Sequence, residues 1–399
     1  MSNRHFINIF FDRFLILLIH QFFFVLTIII LGKKLDTTIF GILSFSLFLI
    51  QIFFSLSEWG FYYYAFKKNL ELNKANFIKE SSDIISSKLF ILCLIFLFLF
   101  LIKLFGLLEL FDFKVMISLI LTIFFAGINP HWFFHPLNQV SRLILPTFIG
   151  RILSVLVVIL FANNTDIYWA VLSQAIAFSV VAIYGNFLLF FKYKVIIIFK
   201  LKKIFHLIKN TSAIFLTTVL QNQILSFWSI ILIFQNKPIE AAYFYFADQI
   251  LRAGNAFTNI LPEILLLKKN KHNQSTNKQN LYASIFIISF FCILIYFFAD
   301  KVLIFLFQEK FLNSFFVIQI ATICIFIMAL IKIYSYPILG LKKGYDKVNK
   351  ISFYIFLLHS VAILFCFNIE TLNSKSIIIV FMILLVVHFL STIITILRK

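Results

Sequence analysis

Long apolar runs follow one another along nearly the whole sequence, at about 10–31, 39–64, 89–108, 113–134, 143–162, 167–191, 211–234, 239–266, 282–307, 315–339, 351–369 and 376–397. Each is close to the roughly 20 residues a helix needs to cross the hydrocarbon core of a bilayer. In lipid every backbone polar group must be satisfied internally, so such runs fold only as helices or as strands of a closed barrel. A barrel strand alternates apolar and polar residues over a segment of about ten. These runs are longer, apolar on every face, rich in Phe, Ile and Leu and poor in Gly and Pro. The chain is 62% hydrophobic and only 13% charged, whereas a soluble domain is near half apolar and a quarter charged. The runs predict an all-α polytopic membrane protein with about 12 transmembrane helices.

The net charge of +19 is not that of a nucleic-acid binder, because the basic residues sit in short loops between apolar runs. One set of connections carries Lys67, Lys68, Lys74, Lys79 and Lys88, then Arg142, then six lysines between Lys192 and Lys209, then Lys268 to Lys278, then Lys342 to Lys350. The alternate set is short and poor in Lys and Arg, so the basic side and both chain ends are expected in the cytoplasm. Arg4 and Arg13 are followed by apolar sequence with no small-residue cleavage site after it, so the first run is read as a retained span and not a signal peptide. The basic connection around residues 192–209 has six runs on either side. Its Val195 to Leu207 stretch alternates apolar and basic residues, as a segment lying along the membrane surface does. The expected organisation is two six-helix bundles, residues 1–200 and 201–399, around a central cleft.

Span 8 breaks the apolar rule. Tyr245, Asp248, Arg252, Asn255, Asn259 and Glu263 recur at spacings of three and four, which places them on one helix face. Such a stripe is expected to face protein or water, not lipid. Span 2, its counterpart in the first half, carries Ser44, Gln51, Ser55, Glu58 and Tyr62 at helical spacing. Two such faces suit the lining of a cleft; the alternative is small polar residues helping helices pack. Lys332 lies deep in span 10, where it either snorkels to the interface or adds positive charge to the cavity, and Arg151 in span 5 is a similar candidate. A cationic lining suits an anionic substrate, since low dielectric strengthens each charge–charge contact. Asp248, one turn from Arg252, would hold that arginine partly neutralised until an anion arrives.

His20, His359 and His388 fall within spans, where each is either a proton relay or a satisfied interior imidazole. His131 and His135 flank Trp132 near a span end and read better as interfacial anchors than as metal ligands. The four cysteines lie in apolar runs without ligand spacing. Nucleotide-binding, nucleophile-elbow and zinc-protease signatures are absent, so no enzyme and no cofactor are expected, with proton or sodium coupling left open.

Several short blocks resemble the Wzx-type O-antigen and polysaccharide repeat-unit flippases of the MOP (MATE-like) superfamily. They are Leu31-Gly32, Phe40-Gly41 and Glu58-Trp59-Gly60-Phe61 around span 2; Pro130-His131-Trp132-Phe133-Phe134 with Leu137-Asn138 after span 4; and Ala241-Ala242-Tyr243, Ala247-Asp248-Gln249-Ile250-Leu251-Arg252 and Leu261-Pro262 in span 8. Where that family often has Gln-Gly after the Trp-Phe-Phe block, this chain has His135-Pro136. The resemblance implies a flippase that moves an undecaprenyl-diphosphate-linked glycan across the bacterial inner membrane, working beside a polysaccharide polymerase and a chain-length regulator. On that reading Arg252, with Lys332, attracts the diphosphate, and Asp248, Asn255, Asn259, Gln51 and Glu58 bond sugar hydroxyls. An O-antigen polymerase is the enzyme alternative, but the outer loops are too short for the large catalytic loop of such proteins. A MATE-type drug or metabolite antiporter is the other, and basic intramembrane residues disfavour cationic drugs.

Overall fold

The computed structural model describes residues 3–106, 111–215, 220–269, 278–307, 309–334, 345–367, 369 and 371–397. Among them there are helices and no strands. In order these are α1 (Asn3–Lys34), α2 (Thr37–Glu58), α3 (Phe61–Glu71), α4 (Lys74–Leu104), α5 (Phe113–Gly127), α6 (His131–Phe134), α7 (Ile144–Phe161), α8 (Tyr168–Phe187), α9 (Leu201–Ile214), α10 (Leu220–Phe234), α11 (Pro238–Lys269), α12 (Lys278–Phe307), α13 (Phe315–Ile333), α14 (Tyr345–Phe367) and α15 (Ser374–Leu397).

Ten helical segments among the described residues are long and apolar enough to cross a membrane, and the chain is a polytopic membrane protein. The two further spans expected from the sequence coincide with α10 and α11. The first is described over only 15 residues, and the second carries Glu240, Asp248 and Arg252. Side-chain oxygens start several helices: Asn73, Asp112 and Asn373 accept from the backbone N–H three residues on, at 2.9 Å each. That satisfies one of the four donors a helix N-terminus leaves unpaired.

Contacts divide the chain into two compact units, Met1–Gln223 and Ile224–Lys399. The expected division at 200/201 falls before α9, which packs against α4 in the first unit. Ile204, Leu207 and Thr211 are the buried face of α9, while Leu201, Lys202, Phe205 and Lys209 are exposed.

Each unit repeats one packing plan. In the first, α5 packs against α2, α4 and α8, and α8 against α7 and α2. In the second, α13 packs against α11, α12 and α15, and α15 against α14 and α11. The end caps repeat too. Lys34, in the turn between α1 and α2, donates to the carbonyls of Val158, Ile159 and Ala162 at 3.1, 2.6 and 3.1 Å, closing the C-terminus of α7. Gln235, in the turn between α10 and α11, donates to Phe367 O and Ile369 O at 2.9 and 3.0 Å, and Lys237 to Leu372 O at 2.7 Å. Cations complement the partial negative charge of a helix C-terminus. Lys34, on the charge-poor side of the chain, is thus explained by the backbone it closes.

Candidate functional site

The polar face of α11 is turned into the second unit. Tyr245 and Asp248 are fully buried. Arg252 keeps 15% of its side chain exposed, and its Nε donates to Asp248 Oδ2 at 2.7 Å. Its Nη2 donates to Ser226 Oγ on α10 at 2.7 Å. Gln249 Nε2 adds a contact to Asp248 Oδ2 at 3.2 Å. Asp248 Oδ1 is buried and has no hydrogen-bond partner among the described residues. The guanidinium is therefore held by two elements through Nε and one Nη, and its Nη1 edge is uncommitted among the described residues. A planar fork fixed in this way suits a carboxylate or phosphate approaching along that edge.

One turn further on, Lys332 of α13 reaches across to α11. It donates to Asn255 O at 3.1 Å and also to Asn255 Oδ1. The two helices approach closely here: a Cβ on Gly254 would lie 2.6 Å from the Ile325 side chain. These bonds place Lys332 beside the α11 stripe. Asn255 is engaged with that lysine, and the Asn259 side chain lies outside the described residues. Asp248, expected to bond sugar hydroxyls and to neutralise Arg252 in part, is fully buried and paired with Arg252.

The span 2 stripe belongs to the first unit and meets other partners. Glu58 forms an ion pair with Lys88 of α4, with side-chain exposures of 18% and 1%. Lys88, read from the sequence as a loop residue, is a correction: it lies within α4, one of the most buried side chains in the unit. The run Ser81, Ser82, Ser86, Ser87 and Lys88 is a buried polar segment of α4, and its lack of long apolar residues hid it from a hydropathy reading. Tyr62 hydrogen-bonds His135 Nδ1 at 3.2 Å. Ser44 bonds the Gly41 carbonyl of its own helix at 2.7 Å. Gln51 is half-buried, without a hydrogen bond among the described residues.

A second buried cation stands in the first unit. Arg151 of α7 is 3% exposed, donates to Gln174 Oε1 at 3.2 Å, bonds His20 Nε2 at 2.5 Å and sits 5.2 Å from the centre of the Phe178 ring. Among the described residues it has no carboxylate within ion-pairing distance, and His20 is its near partner. His359 Nδ1 lies 2.9 Å from the Ile355 carbonyl of its own helix. Among the described residues no cluster of His, Cys, Asp and Glu is arranged to hold a metal. His131 and His135 pack ring against ring at 5.4 Å.

The blocks that carried the family resemblance in the first unit are structural. Trp59 and Gly60 take left-handed backbone angles, φ 37° and 76°, and break α2 from α3. Trp59 stacks on Phe215 at 4.0 Å and donates to Ile208 O at 3.2 Å, pinning α9. Trp132, Phe133 and Phe134 are buried core. Arg13 of α1 bonds His135 O at 3.3 Å and Asn138 Oδ1 at 3.2 Å, and Asn69 of α3 bonds Pro136 O at 2.9 Å, so the His135-Pro136 variation is tied to two helices.

No family model and no curated protein sequence matches the chain. Solved structures do. A multidrug resistance MATE family transporter of the MOP superfamily, in an inward-facing conformation, aligns over 94% of this chain and 94% of its own, with a TM-score of 0.66 and 15% identity. A point mutant of a MATE transporter aligns over 98% and 95%, with a TM-score of 0.56 and 13% identity. A MOP superfamily transporter from Pyrococcus furiosus, described by the reverse polarity of its binding pocket, aligns over 98% and 95%, also at 0.56 and 13%. The two-unit helical architecture built from this sequence is the fold of MATE family transporters of the MOP superfamily.

Proposed function

We propose that this protein is a flippase for an undecaprenyl-diphosphate-linked oligosaccharide in a bacterial inner membrane, supplying repeat units for surface polysaccharide. The observation that carries this reading is Arg252. On this reading it is an intramembrane guanidinium, held by Asp248 and Ser226 with one edge uncommitted among the described residues, and Lys332 adds a second cation on the neighbouring helix. Charged side chains at this depth are costly and mark substrate or ion pathways. Asp248 is a counter-ion that fixes the fork and lowers the cost of an empty site; a diphosphate then competes for the arginine. The fold supports a membrane transporter, and the sequence blocks in α11 support the flippase branch. The Pyrococcus furiosus structure is described as suggesting a different function from its reversed pocket polarity; here Arg252 of α11 and Lys332 of α13 favour an anionic cargo over the cationic one of a drug antiporter. The excess of Lys and Arg in alternate loops supports a cytoplasmic charge-rich side, from which a lipid-linked glycan would enter on this reading. Arg252→Ala in cells is expected to abolish surface polysaccharide at normal protein level and to accumulate lipid-linked repeat units. Normal polysaccharide in that variant overturns the assignment.

A further inference from the structure

At the end of the second unit where α11 and α15 begin, a cavity of about 250 Å³ is lined by Glu240, Tyr243, Asn313, Asn373, Ser374 and Lys375. None of these residues belongs to the Arg252 site. The cavity has firm walls. Glu240 Oε2 accepts from the Ser374 backbone N–H at 2.8 Å and from its hydroxyl at 2.5 Å, fixing the start of α15 to α11. Asn373 Oδ1 caps the same helix through the Ser376 N–H. Asn313 Nδ2 donates to the Tyr243 hydroxyl at 3.3 Å, tying the segment before α13 to α11. The Lys375 ammonium is held 5.8 Å from the centre of the Phe316 ring.

These contacts leave a mixed set of groups uncommitted among the described residues. They are the Glu240 Oε1 and Asn313 Oδ1 acceptors, the Tyr243 O–H donor, the Asn373 amide N–H groups and the Lys375 ammonium. A single anion would meet the Glu240 carboxylate and a single cation would meet the Lys375 ammonium, so neither suits the cavity. The volume is below the roughly 300–1,000 Å³ of clefts that take drug-sized ligands, and it matches one small ring. A neutral ring whose hydroxyls both donate and accept is the ligand class that matches this mixture of donors and acceptors.

We propose that this cavity binds one uncharged sugar ring. The inference rests on the flippase reading for its biological sense, since it provides a seat for a glycan residue away from the diphosphate. Its test is equilibrium binding of free sugars to the purified full-length protein in nanodiscs, by saturation-transfer NMR. The probes are glucose, N-acetylglucosamine, glucuronate, glucosamine and glycine. Neutral sugars are expected to bind, with affinity at least ten-fold weaker in Asn313→Ala and Tyr243→Ala, and the charged sugars to bind more weakly than their neutral counterparts. Asn313 is exposed, so an unchanged unfolding temperature certifies that variant as folded. Absence of neutral-sugar binding to the wild type, equal affinity in folded Asn313→Ala, or preference for glycine each overturns the proposal. Arg252→Ala should bind neutral sugars normally. Loss of binding here with Arg252-dependent translocation intact removes this seat alone, and the reverse result removes the flippase reading alone.

Discussion

The Glu58–Lys88 pair allows a sharp test because its two partners are unequally buried. Lys88 keeps 1% of its side chain exposed and Glu58 keeps 18%. Removing one member of a buried pair strands the other charge and costs about 3–5 kcal/mol, whereas replacing both by neutral groups of similar shape is often close to neutral. Glu58→Gln strands an ammonium with almost no access to water and should cost the full range. Lys88→Met strands a carboxylate that still touches solvent, so its cost should fall lower, about 2–3 kcal/mol. For a unit the size of Met1–Gln223, each kcal/mol moves the midpoint by roughly 2–4 °C. Glu58→Gln should therefore lower Tm by roughly 6–20 °C, Lys88→Met by less, and the double variant by the least. Thermal unfolding in detergent, followed by tryptophan fluorescence in a Trp228→Phe background that silences the second unit, reads the first unit, because Trp59 is stacked on Phe215 and Trp132 is buried within it. Additive single effects in the double variant, or Lys88→Met worse than Glu58→Gln, would refute the reasoning.

Three further outcomes follow from the packing. Gly150→Ala should destabilise by about 1–3 kcal/mol, because its Cβ would lie 2.6 Å from the Ala177 carbonyl oxygen, a backbone atom that cannot swing aside; an unchanged Tm would argue against that close approach of α7 and α8. Lys34→Met removes three carbonyl contacts at the end of α7 and should cost about 1–2 kcal/mol, with faster amide exchange in the last turn of α7 as the readout. Burial, aided by neighbouring His131 and Arg13, holds the His135 imidazole well below the ordinary value of 6.5. The unfolded chain then binds a proton that the folded one refuses, so His135 contributes no pH dependence above about 6.5 and lowers stability as pH falls below it, by up to about 1.4 kcal/mol per unit. The stability of His135→Gln should fall less steeply than that of wild type between about pH 6.5 and 5; parallel slopes would contradict the assignment.

Helical periodicity exposed what is local and hid what is not. The Asp248–Arg252 pair was readable because four residues is one helical turn, and the structure shows it as a bond within α11. The tie between Lys332 and Asn255 joins residues 77 apart, and no spacing rule reports it. Lys88 was missed because a hydropathy reading places serine-rich sequence in loops, whereas serines and a lysine can be buried when each finds a carbonyl or a carboxylate. Lys34 and Gln235 close the ends of α7 and α14, more than a hundred residues away, and no local pattern reports either contact. Trp59 and Gly60 were legible as a motif and not as a cause: their left-handed backbone ends α2, and the Trp59 ring then anchors α9. Motif residues in the first unit thus build the fold, while those in α11 also present a charge.

That charge is the central claim. The measurement closest to it is translocation of an undecaprenyl-diphosphate-linked oligosaccharide in proteoliposomes containing the purified protein, compared for wild type, Arg252→Lys and Arg252→Ala. Wild type should move the lipid; Arg252→Lys, which keeps the charge but not the fork, should be slow; Arg252→Ala, folded by its unfolding temperature, should be inactive. Translocation by Arg252→Ala at the wild-type rate would contradict the account.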